Sequence, residues 1–548
     1  MIAGIIVAVM LIPQSMAYAM LAGLPPQVGL YASMLPLVLY ALLGTSRTLS
    51  VAPVAIMSLL TATSVGALAT PGTSEYLTLA LILALMVGII QVIMGLARVG
   101  FLVNFLGHPV ISGFTSAAAL IIGGSQLKHL LGISIPSTEH LHETLIEVVR
   151  HISQVNTLTA GIGIGSIVAL FYFKSFLARH FSALGVRASL VGPLTKAGPL
   201  VVVLVGTLLV WGFKWNESGD VAVVGSIPAG LPGLTVPSFD MSVWRQLLPA
   251  AITISLVGFM ESISVGKSLA SRRRQKLDAN QELIGLGAAN VGAAFTGGYT
   301  ITGGLSRSVV NFTAGANTQL SSILTAGLIG LTVLLLTPLF YYLPQAVLAA
   351  IVIVAVAVLI DVTTFRHVWH YSKADTVSLI VTFVAVLVAG VETGIITGVI
   401  VAIALFLWRS SRPHVAIVGR VGDSETYRNV LRHDVKTCPE VVAIRVDESL
   451  YFANARFLED VMLQTVADRP DVRHLVLVGS AINEIDASAL ETLESLIEEL
   501  RAAGVTLYLA DMKGPVIDRL ESIGFFDKLG RDRLFLSTHA AMQSLDCA

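Results

Sequence analysis

The sequence predicts a polytopic α-helical membrane protein followed by a small α/β domain. Of its 548 residues, 55% are hydrophobic and only 13% are charged, and the mean hydropathy is +0.81. Apolar runs of about 20 residues, enough to cross a bilayer, recur along the chain. The charge changes sign near residue 412: residues 1–412 carry 20 basic and 13 acidic residues (+7), whereas residues 413–548 carry 14 and 22 (−8). We therefore predict a transmembrane domain over residues 1–412 and a cytoplasmic domain over residues 413–548.

About fourteen apolar segments fill the first domain, some of them too short to cross a membrane alone. The first contains Gln14 and Tyr18 and lacks a basic stretch before it, so we treat it as a real span rather than a signal peptide. If the N-terminus is cytoplasmic, 15 of the 20 basic residues of this domain lie on the cytoplasmic side of the membrane. The positive-inside rule therefore favours this orientation, in which both termini are cytoplasmic. The segments are 2–22, 28–44, 52–68, 77–97, 109–126, 157–173, 198–213, 247–267, 282–296, 305–316, 319–337, 343–360, 376–390 and 392–408.

Fourteen spans divide into seven plus seven, and an odd-numbered half inverts its repeat, as in many secondary transporters. The first span contains QSMA at residues 14–17, which parallels ESIS at residues 261–264 of the eighth span. The third span is entered through Pro53 and the tenth through Gly303 and Gly304, so both are broken helices. This pattern predicts an inverted repeat whose two half-helices point their N-terminal ends at one site near the middle of the membrane.

The tenth span carries Arg307 within YTITGGLSRSVVN, residues 299–311. A guanidinium at that depth is costly in lipid, so it is expected to face protein or a water-filled cavity. A helix N-terminus beside an arginine is a site for an anion. The alternative is a structural arginine that bonds backbone carbonyls freed by the broken helix.

Three further polar residues in the spans are candidates for function. Glu261 could bind a coupling proton or coordinate sodium, and the alternative is a permanent ion pair with Arg307. Gln14 and Tyr18 lie one helical turn apart and share a face, so both could donate hydrogen bonds to an oxyanion. The alternative for this pair is ordinary helix packing.

Strands alternate with helices after residue 413, which predicts a small α/β domain. Its two cysteines, Cys438 and Cys547, predict neither a disulfide framework nor a metal cluster. No basic tract with interleaved aromatic residues occurs in the sequence, so nucleic acid is not an expected partner. The predicted strands are 441–446, 472–478 and 505–509, and the predicted helices are 454–468, 487–503 and 515–523.

These motifs resemble the SulP sulfate permeases, relatives of the mammalian sulfate/anion carriers and prestin. PPQVGLYASMLPLVLYALLGTSRTLSVAPVA (residues 25–55) is similar to the family signature, and ESISVGKSLAS (261–271) and GGLSRSVVN (303–311) follow in the family's order. INEIDASALETLESL (482–496) resembles the STAS domain that these carriers bear at their C-terminus. The family usually has a cytoplasmic stretch before the first span, whereas Met1 stands at the edge of that span here.

The resemblance implies a fold shared with the uracil/proton symporter, in which a core of spans 1–4 and 8–11 moves against a gate of spans 5–7 and 12–14. Substrate would bind between the tips of spans 3 and 10, with Arg307 just behind the site. The implied wall residues are Gln14 and Tyr18 from the first span, Ala52, Val54 and Ala55 from the third, and Gly304, Leu305 and Ser306 from the tenth.

The resemblance also implies a regulatory candidate in the STAS domain. Ser488 aligns with the phosphorylated serine of the bacterial anti-sigma antagonists that share this fold, and a phosphate is favourable at a helix N-terminus. The alternative is that Asp486 or Ser488 simply caps the helix.

We therefore expect a secondary transporter of a small inorganic anion, with sulfate as the leading substrate, driven by proton symport and an elevator-like movement of the core. No phosphate-binding loop of the GxxxxGK[ST] type is present, which favours coupling to an ion gradient. The alternatives are sodium-coupled bicarbonate transport, proton-coupled C4-dicarboxylate transport, and an anion sensor or scaffold acting through the STAS domain. We expect no enzyme activity, no metal and no cofactor. The expected setting is a bacterial inner membrane, with a homodimer and a cytoplasmic protein partner at the STAS domain.

Overall fold

The protein forms two compact units, Met1–Ala402 and Ile403–Ala548. The computed structural model describes residues 1–101, 107–135, 141–177, 180, 197–228 and 230–547. The predicted domain boundary at residue 412 lies just after the last long helix, which ends at Ser410.

Each of the fourteen predicted apolar segments coincides with a helix, and the second is interrupted. We number these helices in chain order: α1 Ile2–Leu21, α2 Pro26–Tyr31 continued by Leu35–Leu43, α3 Ala55–Gly66, α4 Ser74–Leu96, α5 His108–Ser125, α6 Thr157–Ser175, α7 Gly198–Phe213, α8 Met241–Arg272, α9 Ala279–Phe295, α10 Leu305–Thr313, α11 Leu320–Leu335, α12 Gln345–Val356, α13 Lys373–Ala389 and α14 Val391–Ser410. Short connecting helices in the described residues are Leu127–Leu131, Leu141–Arg150, Trp215–Ser218 and Val362–Tyr371, with 3-10 turns at Ile152–Gln154, Thr337–Phe340 and Ala357–Leu359.

In the described part of the chain, eight helical segments are long and apolar enough to cross a membrane. Helices α3, α7 and α11 are apolar but shorter, with 10–17 residues each. The chain is thus a polytopic α-helical membrane protein, while the count of fourteen spans and the inverted repeat stay predictions. The eight segments are Ile2–Leu21, Pro26–Leu43, Ser74–Leu96, His108–Leu131, Thr157–Ser175, Met241–Arg272, Gln345–Tyr371 and Val391–Ser410.

The most extensive helix packing of the first unit falls within two groups, the implied core and the implied gate, and α1 also packs against α12 and α7 across them. In the first group α9 packs along α4 and α2, α8 along α4, and α1 along α11. In the second group α13 packs on α5, and α12 on α6 and α7. Small residues bring α4 and α9 together: a Cβ on Gly88 would lie 2.8 Å from the carbonyl oxygen of Gly287.

Several long helices begin at a polar cap that satisfies their first N–H groups. Thr73 accepts a hydrogen bond from the Tyr76 N–H at the start of α4, and Asn156 accepts one from the Thr159 N–H at the start of α6. Asp240 and Asp278 cap α8 and α9 in the same way. These side chains fix where each helix begins, since four N–H groups at a helix start have no partner within the helix.

The second unit contains a six-stranded mixed sheet with helices, as predicted. The strands are β3 Val415–Arg420, β4 Tyr427–Asn429, β5 Val441–Val446, β6 His474–Val478, β7 Thr506–Ala510 and β8 Leu534–Phe535, in the order β4-β3-β5-β6-β7-β8. The central strands β5 to β8 are parallel, and β3 and β4 are antiparallel to their neighbours. The helices are α15 Ala455–Ala467, α16 Ala487–Ala502, α17 Gly514–Ser522 and α18 Thr538–Ser544, with shorter turns at Phe525–Leu529 and Arg531–Arg533. The three predicted strands and three predicted helices are present, and β3, β4, β8 and α18 were not predicted.

A disulfide joins Cys438 to Cys547, so the expectation that these cysteines form no disulfide is wrong. They are 109 residues apart in sequence, and their Cα atoms lie 5.7 Å apart. Cys438 precedes β5, and Cys547 follows α18, which covers one face of the sheet. The sheet topology brings them together, and sequence spacing carries no sign of that pairing.

Candidate functional site

A two-stranded antiparallel sheet joins the two broken spans in the middle of the first unit. Its strands are β1, Val51–Ala52, and β2, Thr302–Gly303, with Val51 opposite Gly303 and Ala52 opposite Thr302. The Gly304 N–H extends the pairing by donating to the Ser50 carbonyl at 3.1 Å. Because the strands are antiparallel, α3 and α10 leave the sheet in opposite directions, and their N-terminal ends lie next to each other.

Neither of these two helices is capped by a side chain, in contrast to α4, α6, α8 and α9. Val54 precedes α3 and Gly304 precedes α10, and neither residue offers a side-chain hydrogen bond to the helix start. The first N–H groups of a helix have no acceptor within it and carry partial positive charge. Two such ends meeting at one point form a region suited to an anion.

Arg307 lies one turn into α10 and is almost fully buried, with 2% of its surface exposed. Its Nη1 donates to the Pro53 carbonyl at 2.7 Å, and its Nη2 donates to the Ala52 carbonyl at 3.0 Å. Its Nε is buried without a hydrogen-bond partner among the described residues. The guanidinium therefore bonds the carbonyls freed where the third span breaks, as expected for a structural arginine. It also holds a positive charge directly behind both helix ends.

Gly304 is the residue on which this arginine packs. A Cβ at Gly304 would lie 2.7 Å from Nη2 of Arg307 and 2.8 Å from its Cζ. A side chain at this position would require the guanidinium to shift from the place where it bonds its two carbonyl partners. The glycine at the start of α10 and the arginine inside it are thus one structural feature.

Glu261 of α8 and Tyr18 of α1 both lie close enough to Arg307 to interact with its charge, and so does Tyr299. Among the described residues Arg307 and Glu261 form no ion pair within 4.0 Å. The Oε2 atom of Glu261 is buried and has no hydrogen-bond partner in the same part of the chain. A permanent ion pair, the alternative stated for Glu261, is therefore not what the structure contains.

The remaining predicted wall residues lie on the elements that surround the two helix ends. Gln14 and Tyr18 are 6% and 7% exposed, on a helix that packs against both α3 and α10. Val54 and Ala55 are buried at the start of α3, whereas Leu305 and Ser306 are exposed at the start of α10. The structure thus brings Ala52, Gly304 and Arg307 into direct contact, with Tyr18 and Glu261 near the guanidinium.

Sequence reasoning missed a hydroxyl pair that ties α8 to β2. The Thr302 hydroxyl donates to the Gly258 carbonyl at 2.5 Å and lies 2.6 Å from the Ser262 hydroxyl. The Ser262 hydroxyl in turn accepts from the Gly303 N–H at 2.8 Å. The signal for this pair was a hydroxyl one residue after Glu261, inside an apolar segment, and another just before the two glycines, in the polar stretch that carries Arg307.

A second missed contact joins Tyr299 to α3. Tyr299 is fully buried, and its hydroxyl lies 2.8 Å from the Ser58 hydroxyl. The tyrosine was visible as the first residue of the polar stretch around Arg307. Its partner was not, because 241 residues separate the two in sequence.

In the second unit Asp486, and not Ser488, caps the helix that follows. One Asp486 carboxylate oxygen accepts from the Ala489 N–H at 2.8 Å, and the other accepts from the Phe452 N–H at 2.8 Å. Ser488 is exposed in the first turn of α16. Phosphorylation of Ser488 stays a prediction.

Comparison with known proteins covers both units. Residues 1–382 match the sulfate permease family, and residues 432–541 match the STAS domain. The chain is 36% identical over 555 residues to probable sulfate transporter 4.2 of Arabidopsis thaliana, covering 99% of the chain and 80% of that protein. It is 36% identical to the chloroplastic sulfate transporter 4.1 of the same plant and 31% identical to high affinity sulfate transporter 2 of Stylosanthes hamata, covering 99% of the chain and 79% and 83% of those proteins.

Solved structures with the same fold include two anion-transport proteins. Murine Slc26a9, an anion transporter determined in the inward-facing state, superposes with a TM-score of 0.90 at 26% identity, covering 100% of this chain and 91% of that one. The transmembrane domain of a cyanobacterium bicarbonate transporter, BicA, superposes with a TM-score of 0.61 at 24% identity, covering 73% of this chain and 96% of that one.

Proposed function

Because this chain belongs to the sulfate permease family, we propose that it is a secondary transporter of a small inorganic anion, with sulfate as substrate and protons as the coupling ion. The family is one of transporters and not of enzymes. The three plant relatives named above are sulfate transporters, which supports sulfate as the first substrate to test.

The observation that carries the proposal is the pair of uncapped helix ends with Arg307 behind them. A doubly charged oxyanion would accept hydrogen bonds from the free N–H groups at the starts of α3 and α10. Arg307 would add positive potential without direct contact, since two of its donors already bond Ala52 and Pro53. Binding by dipoles and one distant charge is weak enough to permit release, as transport requires.

Glu261 is the proposed proton carrier of the cycle. Its Oε2 is buried, has no hydrogen-bond partner among the described residues and lies near the charge of Arg307. Protonation would remove a negative charge beside the anion site, so anion and proton would favour each other's binding. Coordination of sodium by the same carboxylate is the competing assignment.

The movement proposed is a displacement of the core against the gate. The two packing groups and the likeness to an anion transporter in the inward-facing state support this elevator-like exchange. We further propose a homodimer, cytoplasmic termini and a cytoplasmic protein partner at the STAS domain. A bacterial inner membrane also stays a proposal, since the relatives compared are plant proteins and one is chloroplastic.

Uptake into proteoliposomes tests the function directly. Labelled sulfate, bicarbonate and succinate would be offered in turn, with an inward proton gradient, an inward sodium gradient, or neither. We expect sulfate uptake accelerated by protons. Sodium-driven bicarbonate uptake or proton-driven succinate uptake would establish one of the alternative transport functions. If folded protein takes up no anion, transport is excluded and the sensor or scaffold function remains.

The substitution Gly304→Ala tests the site. The added Cβ would press on the guanidinium of Arg307 and displace it relative to its carbonyl partners. Losing one hydrogen bond of a charged group costs about 1.5–3 kcal/mol, so we expect at least about a tenfold fall in sulfate uptake per folded carrier. Gly327→Ala in α11 is the matched control, since a Cβ there meets no atom within 4 Å. Equal uptake by the two variants would contradict the proposed site.

A further inference from the structure

A second arginine, Arg273, joins the end of α8 to the end of α10. Its Nη1 donates to the carbonyl of Ala316 and to Oδ1 of Asn317, the latter at 2.9 Å. Its Nη2 donates to the carbonyl of Phe312 at 3.0 Å, and its Cζ stands 4.2 Å from the centre of the Phe312 ring. All of these partners are neutral, so the guanidinium binds a helix end rather than a carboxylate.

The end that Arg273 binds is the negative end of the half-helix that carries Arg307. Helix α10 has nine residues and is about 13 Å long. It ends at Thr313, and Gly315, whose φ is +86°, turns the chain away just beyond the helix end. A cation there is favourable because it meets the negative end of the helix dipole.

The opposite end of α10 is tied to the same helix, α8. Thr302 and Gly303, just before α10, bond Gly258 and Ser262. Helix α8 therefore holds the segment at two points, beside Glu261 at one end and at Arg273 at the other. Two attachments to one helix fix the orientation of α10 relative to α8, in addition to its packing on α1 and the hydrogen bond from the Asn311 side chain to the Thr48 carbonyl.

We propose that Arg273 is a positioning residue for anion binding. By holding the C-terminal end of α10, it sets where the N-terminal end of that helix lies relative to α3 and Glu261. It does not itself contact the anion. This inference rests on the proposed function, because it concerns the affinity of the same site.

The test is the concentration dependence of sulfate uptake by Arg273→Gln in proteoliposomes. We expect the apparent KM for sulfate to rise about tenfold, equivalent to about 1.4 kcal/mol, with Vmax per folded carrier within about twofold of the wild type. If Arg273 were purely structural, its replacement would instead reduce the amount of folded carrier. The KM of the variant that does fold would then be unchanged. Arg273→Lys keeps the charge but loses the fork of donors, so its KM should lie between those of wild type and Arg273→Gln.

Two neighbours serve as controls for charge and for loop position. Arg272 and Arg274 are exposed on either side of Arg273, so Arg272→Gln and Arg274→Gln should leave KM within about twofold of the wild type. An unchanged KM in Arg273→Gln, or an equal rise in the controls, overturns the inference. If Arg273→Gln does not fold, an unchanged KM in Arg273→Lys overturns it. Absence of sulfate uptake by the wild type would instead remove the proposed function, and the inference with it.

Discussion

One buried guanidinium is placed to serve both the structural role seen in the fold and the proposed role in anion binding. Two N–H groups of Arg307 donate to the carbonyls of Ala52 and Pro53, and the guanidinium still lies behind both helix ends. A buried charge without partners would be expensive, so the carbonyl bonds are what allow a positive charge to remain at this depth. The structural and functional readings of the residue therefore support each other.

The coupling role is tested at Glu261. Glu261→Gln keeps the shape of the side chain but cannot exchange a proton, so acceleration of sulfate uptake by an inward proton gradient should disappear. Sulfate binding in detergent should be retained within about threefold, a change of less than 1 kcal/mol. Glu75→Gln, at the exposed start of α4, is the control and should keep the acceleration. Acceleration equal to that of the wild type would remove Glu261 from this role.

For individual residues, the sequence identified the charged side chains but not the groups that they bond. Arg307 and Glu261 stand out because charge is rare inside an apolar span. The partners of Arg307 lie 254 and 255 residues away, and backbone carbonyls have no sequence signature. The contact between the Ser262 and Thr302 hydroxyls was equally hidden, since serine is common in helices of membrane proteins and Thr302 lies in a strand of only two residues.

Between elements, a fully buried carboxylate fastens α9 to the connection between α2 and β1. Glu282 lies in the first turn of α9 and is 0% exposed. It accepts hydrogen bonds from the Tyr40 hydroxyl at 2.5 Å, the Thr45 N–H and hydroxyl at 2.6 Å each, and the Ser46 N–H at 2.9 Å. This network holds the chain that leads into the third span against the core.

Replacing this carboxylate should destabilise the protein strongly. Glu282→Ala would leave several buried donors without an acceptor, and each costs about 1–3 kcal/mol. We therefore expect the free energy of unfolding to fall by on the order of 3 kcal/mol or more. Thermal unfolding in detergent measures the change. Glu282→Gln retains one oxygen acceptor and should lose less, and Glu75→Ala should lose under about 1 kcal/mol. A midpoint for Glu282→Ala equal to that of the Glu75→Ala control would show that the network carries no stability.

Elements with a strong hydrophobic signal were predictable, and those without one were not. All fourteen apolar segments coincide with helices because burial in lipid or protein dictates their composition. The strands β1 and β2 have two residues each, too few for any alternating pattern. Their existence depends on pairing between distant halves of the chain, which a local reading does not contain.

At the scale of the molecule, α14 begins in the first unit and ends in the second. Within the second unit the Tyr451 hydroxyl donates to the Ser410 carbonyl at the end of α14, at 3.1 Å. Just beyond, the His414 ring bonds the Asp447 carboxylate at 2.7 Å, which also binds Arg445. The last turn of α14 and the start of the STAS sheet are thus linked by side chains as well as by the chain.

The oxidation state of Cys438 and Cys547 should change the stability of this second unit. The disulfide between Cys438 and Cys547 closes a loop of 109 residues, and a loop of about 100 residues gains up to about 4.7 kcal/mol in the chain-entropy account. We expect reductant to increase amide hydrogen exchange in residues 538–547 of the whole protein. In Cys438→Ser the exchange should already be fast and insensitive to reductant. Exchange that does not respond to reductant in the wild type would contradict the prediction.

The pairing of the two broken spans also governs the order in which the protein can mature. Val51 and Gly303 are 303 − 51 = 252 residues apart, and ribosomes add about 5–20 residues per second, so about 13–50 s separates the synthesis of the two strands. Throughout that interval β1 and the start of α3 have no partner strand, and the Ala52 and Pro53 carbonyls have no guanidinium to bond them. The first half of the chain is therefore synthesised before the strand and the guanidinium that bond these backbone groups in the folded protein exist. Truncation anywhere before residue 302 removes the partner strand altogether.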